Sequence, residues 1–345
     1  MHEGVIGWDI GGANLKAAHL NGCGVLERVI QLPCPLWQGL SHLDRALEQA
    51  LTRLPTSVAR HAITMTGELV DLFANRAQGV QSLIQSLATH LPAVRMEVYA
   101  GEAGFVSPAL GAAMAQQVAS ANWMATAAYV APLVSQGIIV DVGSTTTDII
   151  PVRGKILARG HDDHQRMVFD ELVYTGVVRT SVVAVVKRVL FEGEWVTVMA
   201  EHFATMADVH RLTGELPADS DEWPTADNQG RSDIDCARRL ARLIGRDAES
   251  AELQCWRRMA GHLAEQQQRR IMDACARTLS RGLLDEHAPL IGAGIGRFVV
   301  KQLAKRMKRP YIDFSSFVEC RNGAGDWAAH CAPAVAVAAL VNRRL

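Results

Sequence analysis

Apolar residues open the chain in three short runs, 5–9, 15–20 and 25–32, the last two separated by Asn21-Gly22-Cys23-Gly24, which predicts three β-strands joined by tight turns. Leu40, Leu43, Leu47, Ala50, Leu51 and Leu54 then recur at helical spacing, predicting an amphipathic helix that Pro55 ends. A strand over 62–65, a helix over 79–90, a strand over 94–99 and an alanine-rich helix over 118–134 follow. The β pattern then restarts at 138–142, 147–152 and 155–158, with Arg153-Gly154 as its turn. Next come β-branched runs within 172–198 and a helix face marked by Met199, His202, Phe203, Met206, Val209 and Leu212. A polar loop over 219–235 leads to helices over 237–244 and 252–284. An apolar strand at 289–291 enters Gly292-Ala293-Gly294-Ile295-Gly296, and two helices follow, the second built of small residues over 332–340. This order predicts an α/β protein of two halves, 1–135 and 136–345, the second with a helical insertion around 172–285.

Both halves begin on the same signature. Asp9-Ile10-Gly11-Gly12-Ala13-Asn14 and Asp141-Val142-Gly143-Ser144-Thr145-Thr146 each end an apolar strand in Asp-x-Gly, pass through small residues and turn back as a strand. A Rossmann or P-loop site needs a helix directly after its glycines, so both folds are disfavoured. Asp-x-Gly alone suits an ordinary hairpin turn, but its repetition in one strand context points to a pair of phosphate-binding loops, a clamp. Glycine lets backbone amides approach an anion, and an Asp can hold a metal ion that neutralises it.

Charge and cysteine usage narrow the partners. Across 345 residues, 35 Lys+Arg balance 36 Asp+Glu, which leaves no electrostatic footprint for nucleic acid. The seven cysteines show no C-x-x-C and no zinc spacing, and read as reduced thiols, mostly buried. Met1-His2-Glu3 leads straight into a strand, and Ser120, Asn122, Thr126 and Pro132 interrupt the nearest approach to a membrane span, so a cytoplasmic protein without membrane contact is expected. The apolar composition is compatible with a homodimer.

The order of these parts resembles the superfamily of acetate and sugar kinases, heat-shock chaperones and actin, in which duplicated ribonuclease-H-like halves close over a nucleotide in an inter-domain cleft. Asp9-x-Gly11 resembles its first phosphate loop, Asp141-x-Gly143-x-Thr145 its second, and Gly292-Ala293-Gly294 its adenosine loop. Within that superfamily, the segments 64–69, 174–180 (Tyr-Thr-Gly-Val-Val-Arg-Thr), 207–214 (Ala-Asp-Val-His-Arg-Leu-Thr-Gly), 224–227 and 237–247 together resemble the hydantoinase/oxoprolinase-like proteins of the tetrahydromethanopterin-linked one-carbon pathway. Archaeal members of that family are methanofuran-biosynthesis synthases. The resemblance implies a transferase that joins an aminomethyl-furanylmethyl diphosphate to the phenol of γ-glutamyl-tyramine, forming an ether and releasing diphosphate, here toward methylofuran. The chain is much shorter than a hydantoinase A subunit and has no His-rich binuclear centre, which argues against ring hydrolysis.

On this reading the phosphate groups fall to Gly11, Gly12, Asn14, Gly143, Ser144, Thr145 and Thr146, helped by Lys16 and by Mg2+ held through Asp9 or Asp141. A phenol, with a pKa of about 10, needs a base, for which Glu68 is the candidate; a helix-N-terminal acid is its other explanation. Asp148 either reaches the metal through water or caps its strand. His161-Asp162-Asp163-His164 is a proton-transfer or metal cluster if enclosed, and an ordinary solvated loop if not. Tyr174 and Arg179 lie where acceptor selectivity would be set, Arg179 matching a glutamyl carboxylate or forming a structural salt bridge; Gly292, Gly294 and Gly296 would border a nucleotide or flat substrate. The rival readings are an ATP-dependent kinase or ATPase using the same loops, and a nucleotide-binding assembly protein.

Overall fold

The computed structural model describes residues 4–56, 58–91, 95–217, 221, 223–321 and 323–344. Met1-His2-Glu3, which the sequence reads as leading straight into the first strand, residue 94 of the strand expected over 94–99, and residues 219, 220 and 222 of the acidic loop lie outside the described residues. By contacts the chain divides into two units, 1–136 with 152–157 and 313–345, and 137–151 with 158–312.

The first three apolar runs form β1 (Val5–Ile10), β2 (Asn14–Leu20) and β3 (Leu26–Pro33), an antiparallel meander. Strands β4 (Arg60–Met65), β5 (Arg95–Tyr99) and β6 (Phe105–Val106) complete a six-stranded sheet in the order β3-β2-β1-β4-β5-β6, with β4 parallel to β1 and to β5. Alternation fixes what each face meets. Ile6, Trp8 and Ile10 face the helices Ser41–Leu51 and Arg76–His90, making a core with Leu43, Leu47, Leu83 and Leu87. The opposite face is made of small residues because a helix lies close against it: a Cβ on Gly7 would stand 2.9 Å from Ala338 of the helix Ala332–Asn342. That packing accounts for the run of alanines and valines over 332–341 and places the C-terminal segment with the first unit, although the order of repeats alone grouped it with the second half.

The second unit repeats the layout. Strands β7 (Gly137–Val142), β8 (Thr147–Val152) and β9 (Leu172–Val173) are followed by the insertion hairpin β10 (Arg188–Phe191) and β11 (Glu194–Thr197), then by β12 (Leu290–Ala293) and β13 (Tyr311–Asp313). The five-stranded sheet runs β9-β8-β7-β12-β13, with β12 parallel to β7. Numbered from its own first strand, each sheet contains the order 3-2-1-4-5, with β6 added at the edge of the first, the ribonuclease-H-like topology used twice, which is the actin-like fold class.

Three expectations change. The run 155–158 makes only the bridge Val152↔Ile156 after Gly154, and the strand beside β8 is instead β9, anchored by the Ile149 amide on Glu171 O at 2.8 Å. The alanine-rich stretch is broken into helices at Pro108–Ala113, Ala115–Val118 and Asn122–Val130, with Ser120 in the left-handed region at φ 52° between the last two. The helix expected from Met199 begins only at Met206, because Thr205 and Asp208 close a capping box there. Among the described residues no helix is long and apolar enough to cross a membrane. All seven cysteines are free, and burial pushes the thiols of Cys34, Cys236 and Cys275 up to about 12.

One core contact sets a pH dependence. Trp8 Nε1 donates to His61 Nδ1 at 2.9 Å, which requires a neutral imidazole, and burial lowers the His61 pKa from 6.5 to about 4. Between those values the unfolded chain binds a proton that the native chain refuses, so stability falls as pH drops from 6.5 toward 4, by roughly 3 kcal/mol at 1.36 kcal/mol per unit. Urea midpoints over this range should show the decline, and His61→Met should flatten it.

Candidate functional site

The two Asp-x-Gly loops have the same backbone wiring. Asp9, Ile10, Gly11, Asn14 and Lys16 correspond, at a constant offset, to Asp141, Val142, Gly143, Thr146 and Asp148. Gly11 N donates to Asn14 O at 3.0 Å and Gly143 N to Thr146 O at 2.9 Å, closing each turn. The strand-end carbonyl just before the glycine is bound from the parallel neighbour in both units: Thr66 N on Ile10 O at 2.9 Å, and Gly296 N on Val142 O at 2.8 Å. Thr66-Gly67 is thus the first unit's counterpart of the 292–296 loop.

A separate strap holds the remaining carbonyls of each loop. In the first unit Leu36 N takes Gly12 O at 3.1 Å and Cys34 N takes Ala13 O at 2.8 Å. In the second, Val177 N takes Gly143 O at 3.1 Å, Val178 N and Arg179 N take Ser144 O at 3.1 and 2.8 Å, and Thr180 Oγ1 takes Thr145 O at 3.3 Å. Among the described residues, the amides of Gly12, Ala13, Ser144 and Thr145 donate no hydrogen bond. With carbonyls engaged and amides left over, each loop presents donors suited to an anion.

Side chains around the first loop add charge. Asp9 is 3% exposed, sits opposite Lys16 across the hairpin, and its Oδ2 lies 3.5 Å from Lys16 Nζ. Thr64 pairs with Asp9 in the β1–β4 register and buries a hydroxyl with no hydrogen-bond partner among the described residues, a polar group that the strand pattern alone did not single out. Glu68 is 1% exposed; Ser120 Oγ donates to its Oε1 at 3.0 Å, and a Cβ on Gly79 would come 2.8 Å from Glu68 Cβ. The Glu68 carboxylate is therefore held firmly within the first unit.

In the second unit Asp141 is half-buried, beside Gly294, where φ is 79° and a Cβ would overlap Val142 O and Asp141 Oδ1. Asp148 is paired with the buried Arg166 at 2.8 Å, so the cation beside it is a guanidinium. Ser144 Oγ and Thr145 Oγ1 lie 3.3 Å apart. Gly292 and Gly296 are required by packing, since a Cβ would meet the Tyr311 ring at 2.7 Å and Val177 Cγ1 at 2.8 Å; these glycines are accounted for without a nucleotide. Tyr174 is exposed, and Arg179, whose guanidinium burial pushes below its ordinary pKa, lies with Cζ 5.4 Å from the Trp223 ring. His161 is exposed, while Asp162 caps the helix Asp163–Val168 through Gln165 N at 2.8 Å, so this segment is an ordinary capped turn.

The insertion motifs are structural. Asp208 meets the fully buried Arg239 at 2.7 Å, and Asp227 meets it at 2.9 Å, tying 207–214, 224–227 and 237–247 into one ionic network over a core of Val209, Leu240 and Trp256. Mg2+ bound to a diphosphate needs one or two protein carboxylates, the phosphate oxygens filling other positions. No cluster of three metal-binding side chains occurs among the described residues, and Asp148 is paired with Arg166.

Comparison with known proteins places this architecture. The hydantoinase/oxoprolinase family model matches residues 60–343. The (4-{4-[2-(gamma-L-glutamylamino)ethyl]phenoxymethyl}furan-2-yl)methanamine synthase of Methanocaldococcus jannaschii is 30% identical over 248 residues, 71% of this chain and 72% of that protein. Its namesake from Methanococcus vannielii is 34% identical over 79 residues, 23% of this chain and 36% of that protein. The nucleotide-free structure of acetone carboxylase, an enzyme of ATP-dependent acetone carboxylation, shares the fold with a TM-score of 0.60 at 10% identity, over 98% of this chain and 70% of that one. The chain belongs to the hydantoinase/oxoprolinase family.

Proposed function

We propose that this protein is a transferase of methanofuran or methylofuran biosynthesis, condensing an aminomethyl-furanylmethyl diphosphate with γ-glutamyl-tyramine. The observation that carries the reading is the duplicated loop whose carbonyls are held by a strap while its amides remain for an anion. The M. jannaschii relative's name supplies the other half: it describes a phenoxymethyl-furan ether, the linkage such a displacement would make. The phenol oxygen forms a bond to the furanylmethyl carbon as the bond from that carbon to the diphosphate oxygen breaks, the diphosphate leaving with the electron pair. The phenol proton passes to a carboxylate, assigned to Glu68. Loop amides and Lys16 stabilise charge growing on the leaving group. Asp141 would hold Mg2+, which would supply further neutralisation of the leaving group. Arg179 with Tyr174 would receive the glutamyl end of the acceptor.

The test is diphosphate release by the purified protein with Mg2+, both substrates, mass spectrometry for the ether, and ATP in a parallel reaction. Ether formed in step with diphosphate supports the reading. No ether, but ATP turnover stimulated by an acceptor, moves the assignment to a kinase or ATPase.

A further inference from the structure

We infer that Gln267 and His210 are positioning residues that set the second phosphate loop through the strap at 175–180, an inference resting on that loop's proposed diphosphate role. Gln267, in the middle of the helix Leu253–Leu279, is fully buried; its Nε2 donates to Thr175 Oγ1 and to Gly176 O, both at 2.8 Å. A flipped amide would turn its oxygen onto the Gly176 carbonyl, acceptor against acceptor, so the orientation is fixed. Gln267 Oε1 then faces His210 Nε2 at 2.8 Å, which fixes a proton on that nitrogen. His210 is 1% exposed, its Nδ1 lies 3.3 Å from Glu215 Oε2, and the Phe298 ring closes its side at 5.2 Å.

Glu215 is held in turn by Thr213 Oγ1 at 2.9 Å and by Gln302, and the His210 hydrogen bond is the first cause lowering its carboxyl pKa. The chain of contacts runs from Glu215 through His210 and Gln267 to Thr175 and Gly176. Thr147 Oγ1 binds Thr175 O at 2.7 Å, and Gly176 lies directly on the backbone of Ser144 and Thr145. A buried amide and imidazole engaged on a strap that bonds the carbonyls of Gly143, Ser144 and Thr145 is a support for loop geometry. Neither group touches a reacting atom, so the expected signature is in binding and loop order.

The experiment compares wild type, Gln267→Leu, His210→Leu and His210→Gln, the last keeping a donor toward Gln267. Titration with inorganic diphosphate and Mg2+ measures binding without turnover, and hydrogen exchange follows the amides of 143–146 and 175–180. Gln267→Leu and His210→Leu should weaken diphosphate binding about tenfold, the worth of one lost buried hydrogen bond, with His210→Gln within about threefold of wild type. Exchange should rise at 143–146 and 175–180 and stay unchanged in the first unit. Wild-type diphosphate binding that Gln267→Leu leaves intact, with unchanged exchange at 143–146, would overturn the inference. Absence of diphosphate binding by the wild type would instead overturn the parent reading, and faster exchange confined to the loop would still uphold the positioning role.

Discussion

Gly176→Ala is expected to lower turnover at least a hundredfold while the first unit stays folded. The reason is steric and local. A Cβ at this position would overlap Ser144 C and Thr145 N and stand 2.6 Å from Gly143 O, and all three are backbone atoms that no rotamer change can move aside. Either the strap or the loop must shift, and the four bonds from Val177, Val178, Arg179 and Thr180 to the loop carbonyls go with it. Overpacking of this kind costs roughly 1–3 kcal/mol of stability. The kinetic cost is larger, because displacing aligned donors by about 1 Å is enough for a loss of about a hundredfold. Gly154→Ala is the matched control: its φ of 64° disfavours a side chain, but a Cβ there meets nothing within 4 Å, so it should cost about 1 kcal/mol or less and leave turnover unchanged. Urea midpoints with kcat and KM for the diphosphate substrate separate these effects. Turnover of Gly176→Ala within threefold of wild type would remove the second loop from the reaction.

How much of this was readable before the structure depends on the range over which each signal acts. The Asp-x-Gly hairpins were legible because strand, turn and return strand are contiguous, and both loops close the same bond three residues on. The capping box that starts the helix at Met206 was also in plain view as Thr205 and Asp208, although the apolar spacing from Met199 masked it. Strand β9 was missed because two residues are too short to show a period. Gln267 did leave a trace: along Leu253–Leu279 the buried positions Trp256, Met259, Leu263, Ile271 and Ala274 make an apolar stripe, and Gln267 falls within it. A polar side chain on a core stripe signals a buried partner but not which one. Its partners Thr175 and His210 lie 92 and 57 residues away, and the Asp208–Arg239 pair spans 31. Such pairings arise only once the fold has brought the segments together.

Lys16→Met and Asp9→Asn should separate stability from function at the first loop. Asp9 is nearly fully buried while Lys16 keeps about a quarter of its side chain in solvent, 4% against 24%, so the lysine reaches inward from the surface to the acid. Removing Lys16 alone takes a charged partner from a buried carboxylate, at a cost of about 1–3 kcal/mol. Replacing both residues also removes the buried charge, so the double variant should regain most of that stability. Activity should follow a different rule. If Lys16 stabilises the departing diphosphate, its loss costs about 10²–10³ in kcat, the scale for removing one electrostatic donor, and the double variant stays as impaired as Lys16→Met. Asp9→Asn alone keeps the ammonium but loosens its aim, and is expected to retain more turnover than Lys16→Met. A double variant that recovers activity along with stability would show that the pair is structural, and would transfer the charge-stabilising role to the loop amides and to Mg2+ held through Asp141.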